Sequence, residues 1–330
     1  MELAQSTTEH SIHMPILNAD VLAPTATEWL QKIPTQYLVF LIISTVVTAA
    51  VIVLAFIHLY KIHYYVHNES IQTDLYYLAL LFPIVGLCSL LGMYMLRSAA
   101  LLYVISHTYV MMCLLVLVTL LRNIFGGREK MSKYLLSHNE LIKFNTPPLC
   151  CCCKCLPMFK PTERALRHVE WLTLQSPIVR IVAEIINMIA FFEESGNTQL
   201  AVITNVVEVL SMISALFGCN IIMNLGQEKQ APYRMKVVFQ CVNLTQVFLT
   251  LQRFIFDMLG KFNVFTDTEL LSSNTKAMYW NSMSLTLEMC LLSVVATILL
   301  VPHKTTFFDN ASQRVQQIDD LPHKSFENPV

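Results

Sequence analysis

Charge is scarce in this chain. Asp, Glu, Lys and Arg make up 14% of its 330 residues while 55% are apolar, and glycine occurs only 8 times. A water-soluble domain carries about 25% charged residues, so a soluble fold is excluded, as is disorder over most of the length. An excess of either sign is absent too: 22 basic residues stand against 23 acidic ones, which disfavours a basic nucleic-acid binder. Also missing are the sequence words of common chemistries. There is no G-x-x-x-x-G-K-[ST] phosphate loop, no dinucleotide-binding G-x-G-x-x-G, no H-E-x-x-H zinc helix and no G-x-S-x-G nucleophile elbow. ATP-driven pumping and the familiar hydrolases lack support, and the chain reads as a non-enzyme with no cofactor and no metal. His58 and His107 fall in different apolar runs and at different depths, which separates them as ligands of one ion.

Long apolar runs are what the chain has instead. A helix rises 1.5 Å per residue and needs about 20 residues to cross about 30 Å of hydrocarbon. Seven runs are read as spans: 37–60, 75–96, 98–121, 174–192, 200–225, 237–259 and 277–301. The second and third must be parted by a turn near Gly92 to Arg97, because a single 47-residue helix would be about 70 Å long. The first run follows 36 mostly polar residues and is 24 long, too long for a signal-peptide core. The expected fold is an all-α integral membrane protein with seven transmembrane helices, flanked by a weakly structured extracellular segment 1–36 and a disordered cytoplasmic tail 302–330.

Orientation follows from Lys and Arg, which cytoplasmic connections retain. With the N-terminus outside, the outer segments hold Lys32, Arg97, Lys261 and Lys276, whereas the inner ones hold 16 basic residues, nine of them between Arg122 and Arg167. That predicts the N-terminus outside and the C-terminus cytoplasmic. Asn68 and Asn310 then face the cytoplasm and Asn243 lies within a span, so no glycosylation is expected.

The largest connection, 122–173, contains Cys150, Cys151, Cys152, Cys153 and Cys155, five of the ten cysteines. Two overlapping C-x-x-C spacings suit zinc, yet no downstream Cys or His pair completes four ligands. Inert thiols packed on the inner leaflet are a second reading. S-acylation is the expectation adopted, since these cysteines adjoin a membrane face among basic residues in a reducing compartment.

Ionisable groups inside spans cost roughly 2.5 to 3.5 kcal/mol each on insertion scales unless they face a partner or a cavity. Arg180 and Glu184 are four residues apart, as are Arg253 and Asp257, and each pair can neutralise itself on one helix face. Glu208 and Glu288 have no such neighbour, so an interhelical cluster of Arg180, Glu184, Glu208 and Glu288 is expected. Gln240, Asn243, Gln246 and Gln252 form a polar stripe on the sixth span that suits either helix–helix hydrogen bonding or a solute path. Seven spans also invite a receptor-like or scaffolding role in membrane trafficking. Against the G-protein-coupled class, the third span ends Leu120-Leu121-Arg122-Asn123 and the last Leu300-Val301-Pro302-His303, without the motifs of that class.

Specific words then accumulate in order: Leu96-Arg97-Ser98, Phe125-Gly126-Gly127-Arg128-Glu129, Pro147-Pro148, and the cysteine run ending Cys155-Leu156-Pro157. They continue with Leu225-Gly226-Gln227, Lys236 to Phe239-Gln240, Gln252, and Leu287-Glu288. Over about residues 35–305 the chain resembles the organic solute transporter alpha subunit family. The resemblance implies facilitated, ATP-independent movement of amphipathic organic anions such as steroid conjugates and bile-acid-like molecules across the plasma membrane. It also implies pairing with a single-span beta subunit. Lys154 interrupts the cysteine run, and the Arg180–Glu184 pair has no counterpart in the family pattern. The substrate-path candidates are Arg97, Arg180, Glu184, Glu208, Gln240, Gln252 and Glu288, acting on an organic anion that reaches them laterally from the lipid.

Overall fold

The structure, a computed structural model, describes residues 23–144, 158–192, 198–268, 270–300 and 305–308. The acylation candidates Cys150, Cys151, Cys152, Cys153 and Cys155 lie outside the described residues, as does most of the tail. Among the described residues the fold is helical. It runs α1 (Ala26–Lys32), α2 (Thr35–Tyr65), α3 (Glu69–Ala79), α4 (Leu81–Tyr94), α5 (Ala99–Ile124), α6 (Arg128–Ser137), α7 (Glu163–Phe192), α8 (Thr198–Met223), α9 (Gln227–Gln230), α10 (Met235–Val247), α11 (Arg253–Lys261) and α12 (Ser273–Leu299). One antiparallel bridge between Ile142 and Phe159 pinches together the described ends of the 122–173 connection.

Five helical stretches are long and apolar enough to cross a membrane: Thr35–Tyr65, Glu69–Tyr94, Leu96–Ile124, Val206–Met223 and Ser273–Leu299. Their lipid face is visible on α2, where Ile42, Val46, Val53, Phe56 and Tyr60 are all exposed. Such a continuous apolar surface is tolerated against acyl chains and aggregates in water.

Where the helices break, the sequence supplies the cause. Pro83 has no N–H to return to the Ala79 carbonyl, and the second expected span divides there into α3 and α4. The turn expected near Gly92 to Arg97 is present: α4 ends at Tyr94 and a single 3-10 turn, Leu96–Ser98, leads into α5. The expected span 237–259 is not one regular helix. A π-helical turn, Phe248–Gln252, separates α10 from α11 and changes the register of every side chain beyond it.

The connection 122–173 is more structured than expected, holding α6 and the first turns of α7. The glycines that carry the resemblance explain how. Gly126 (φ +77°) and Gly127 (φ +111°) reverse the chain between α5 and α6 in a backbone region costly for other residues. Gly226 (φ +63°) faces the Phe125 ring so closely that a Cβ there would sit 2.5 Å from Phe125 Cζ. Two sequence words separated by 100 residues thus meet, and Lys229 lies 4.9 Å from the centre of the same Phe125 ring. On α6, outside the spans, the Lys133 ammonium holds the Glu129 carboxyl below its ordinary value through a hydrogen bond and its charge.

Both flanking segments depart from expectation where they are described. α1 is N-capped by Thr25 Oγ1 and docks on the bundle through Trp29, which is fully buried and donates from Nε1 to the Met93 carbonyl at 3.0 Å. Trp29, Tyr37 and Tyr279 pack edge to face, with centroids 5.1 to 5.9 Å apart. After α12, Phe307 and Phe308 are buried in a 3-10 turn, Thr306–Phe308. Proline count and polarity suggested no order at either place, yet a few aromatics bury enough surface to fix both.

Two helices, α12 and α5, gather most of the packing. α12 contacts α2, α4, α10 and α11; α5 contacts α3, α4, α7, α8 and α10; and α7 pairs along α8. Gly218 permits the last pairing, for a Cβ there would lie 3.0 Å from both Leu172 Cβ and the Val169 carbonyl oxygen.

Candidate functional site

Polar side chains are concentrated where α5, α7, α8 and the π-helical turn meet. Arg180 on α7 forms ion pairs with Glu184, one turn along the same helix, and with Glu208 on α8. These side chains are largely removed from the surface, at 13% exposure for Arg180 and 9% for Glu208. Beside them a cavity of about 70 Å³ is lined by His107, Ser176, Ser211 and Thr250 among others. The π-helical turn shapes one wall. Its Leu249 carbonyl accepts a hydrogen bond from the Tyr103 hydroxyl at 3.0 Å, while Thr250 Oγ1 donates to the Gln246 carbonyl at 2.8 Å. The Tyr103 hydroxyl also lies 3.3 Å from His107 Nδ1, and the Arg253 guanidinium sits over the Tyr103 ring at 4.9 Å.

Four atoms of residues that line this cavity are buried without a partner in the structure: His107 Nε2, Arg180 Nε, Glu208 Oε1 and Ser211 Oγ. Leaving one such group unsatisfied costs about 1 to 3 kcal/mol. A ring of them is therefore an environment for water or for the polar end of a solute. The volume sets a limit. Space of about 70 Å³ holds a few waters or a small head group, whereas an organic ligand of drug size needs roughly 300 Å³ or more.

A larger cavity, about 600 Å³, opens at the far end of the α8–α10 interface, lined by Asn220 and Asn224 from the end of α8 and by Arg234, Lys236 and Gln240 from the start of α10. Arg234 is committed, donating to the Leu299 carbonyl at 2.8 Å. Lys236 is exposed and forms no ion pair among the described residues, while Glu228 supplies a carboxylate to the same cavity. Nine residues of α8 separate Ser211 from Asn220, so the two cavities lie about 13 Å apart along one helix.

The expected four-residue cluster forms in part. Arg180, Glu184 and Glu208 come together; Glu288 does not join them. Glu288 lies on α12, whose main contacts are with α4, α2 and α11, and its Oε2 is buried without a hydrogen bond. The glutamine stripe is also divided. Gln240 is exposed in the large cavity, Gln246 is buried with Nε2 3.8 Å from Met111 Sδ, and Gln252, displaced by the π-helical turn, donates to the Asn281 carbonyl at 3.3 Å. Arg97 is remote from all of these, exposed and tying the N-terminal segment down by donating to the Ala23 carbonyl at 2.5 Å. His107, Ser176 and Ser211 were not among the sequence candidates. Spacing held a signal for two of them: Ser176 is four residues before Arg180 and Ser211 three after Glu208, each on the face of its charged neighbour.

These features define a polytopic helical membrane protein with a polar interior, which is the architecture of a membrane transport protein. A model of the organic solute transporter Ostalpha family matches residues 40–305. Three Caenorhabditis elegans proteins are similar over 87% of this chain. Organic solute transporter alpha-like protein 1 is 38% identical across 75% of its own length. Organic solute transporter alpha-like protein 3 is 33% identical across 83% of its length, and alpha-like protein 2 is 29% identical across 84%. No solved structure matches the chain. The chain belongs to the organic solute transporter alpha family, and it is a transporter and not an enzyme.

The charge arrangement has a measurable consequence. Arg180→Gln alone leaves two buried carboxylates facing each other and should cost about 3 to 5 kcal/mol. Adding Glu184→Gln and Glu208→Gln should restore much of that loss. Thermal unfolding of the purified single and triple variants checks this; a triple variant less stable than Arg180→Gln would refute the electrostatic account.

Proposed function

We propose that this chain is a facilitative, ATP-independent carrier of amphipathic organic anions of the steroid-conjugate or bile-acid type. It works as the alpha subunit of a heteromer with a single-span beta subunit in the plasma membrane. In this reading α7 and the interrupted helix α10–α11 join the five clearly apolar stretches as spans, giving seven, with the N-terminus outside and the C-terminus cytoplasmic. One observation supports it above others: two cationic stations, Lys236 at the start of α10 and Arg180 on α7, each stand beside a cavity, and α8 lines both cavities.

An amphipathic anion needs little help with its apolar rings, which are at home in lipid. The barrier is the head group, whose charge is costly in hydrocarbon. Leu210 on α8 and Leu244 and Val247 on α10 are exposed and offer the rings an apolar flank. Lys236 receives the head group at one end. The cluster at Arg180 receives it deeper, where the unpartnered atoms of His107 and Ser211 stand in for water. Because Arg180 is already shared by two carboxylates, it holds the anion weakly, and weak holding favours release over trapping. Binding in both directions along such a path needs no energy source beyond the solute gradient.

Cells expressing the chain with a candidate single-span partner, in sodium-free medium, should show saturable uptake of radiolabelled estrone sulfate or taurocholate. Lys236→Gln should weaken apparent affinity about tenfold, the loss expected for one charge-assisted hydrogen bond. Absence of uptake despite surface expression, or unchanged kinetics in Lys236→Gln, would overturn the reading.

The proposal extends to Cys150, Cys151, Cys152, Cys153 and Cys155, which carry thioester-linked acyl chains at the inner leaflet. Hydroxylamine-dependent mass tagging should shift the native chain and leave a variant with serine at all five positions unshifted. A native chain without hydroxylamine-sensitive tagging contradicts this.

A further inference from the structure

The solute path leaves one strongly cationic feature unused. Between α5, α6 and α7 lies a cavity of about 360 Å³ to which Arg122, Arg128 and Arg167 all contribute, together with the single carboxylate Glu170. Glu170 is shared by two of them: Arg128 donates to it from Nε at 3.3 Å and through a second, closer contact, and Arg122 approaches its Oε2 at 3.6 Å. Glu163 adds a further carboxylate to the surroundings of Arg128 but does not line the cavity. Arg167 is exposed and forms no ion pair among the described residues. Among the residues that line the cavity, three guanidinium groups stand against one carboxylate, which leaves a positive excess.

The cavity is two-faced. Its other wall is apolar, made by Leu115, Val118 and Leu174, and Trp171 stands at its margin with 55% of its surface exposed. Arg122 lies in the last turn of α5, where the apolar stretch ends, so the cavity sits at the boundary between hydrocarbon and head groups. Guanidinium groups suit phosphate oxygens through paired N–H donors, and tryptophan favours this boundary layer. We propose that this cavity binds the head group of an anionic phospholipid, with its acyl chains along the Leu115–Leu174 wall and its phosphate on Arg122 and Arg167. Phosphate head groups border both leaflets, so the assignment is independent of the orientation proposed above and of the transport activity.

Trp171 gives a probe within the site. The full-length protein, with its partner if one is needed, is reconstituted with brominated phosphatidylserine or brominated phosphatidylcholine, and tryptophan fluorescence is measured. Phosphatidylserine should be preferred roughly tenfold, seen as excess quenching. That excess should vanish in Trp171→Phe and fall strongly in Arg167→Gln, an exposed position whose substitution leaves the Glu170 pairs intact. Equal quenching by the two lipids, or an excess that survives in both variants, would overturn the proposal. Inorganic phosphate should fail to displace the lipid at equal concentration; displacement with equal potency would mean a free-anion site and would overturn the lipid assignment.

Discussion

The structure depends on one charged side chain held inside an apolar bundle. Arg180 is tolerated there because Glu184 and Glu208 neutralise it, and Glu208 belongs to the neighbouring helix. This ties α7 to α8 in a fixed register, which Gly218 makes possible by letting the two backbones approach. Buried ion pairs of this kind contribute little net stability, since desolvation offsets their attraction. Their value is specificity. A helix pair free to slide would bury an unpaired charge, so the pairing fixes where the small polar cavity forms and which α8 residues face it.

The π-helical turn at Phe248–Gln252 is the second determinant. It frees the Leu249 carbonyl for the Tyr103 hydroxyl and aims Thr250 at the cavity, while sending Gln252 to α12. The irregularity therefore moves Gln252 alone away from the amides of α10 and turns it to α12, and such turns are frequent at functional sites.

How much of this was legible in the sequence follows the physics of each signal. Apolar runs are long-range and redundant, so the helices, the break before Arg97 and the membrane class could be read directly. The three-residue charge cluster was readable because a lone Glu208 at depth demands a cation and Arg180 was the candidate. The separation of Glu288 from that cluster was not, because helix order around the bundle is set by packing that no linear spacing encodes. The docked helix α1 and the Phe307–Phe308 turn were hidden by polar neighbours; a single Trp29 or a Phe pair outweighs several prolines once buried. The π-helical turn leaves no sequence word at all. Family membership, by contrast, rested on short words such as Phe125-Gly126-Gly127 and Leu225-Gly226-Gln227, and the structure explains them as the two halves of one contact.

In the proposed mechanism an organic anion travels along α8, between the cavity at Lys236 and the cavity at Arg180. Single cysteines at Ser211 and Asn220, one beside each cavity, can be reacted with a membrane-impermeant charged thiol reagent in cells where the same variants still carry flux. Both positions should react faster than the unsubstituted chain, and estrone sulfate should slow both. Flux that continues while neither position is reached by the reagent or protected by the solute would contradict the proposed path.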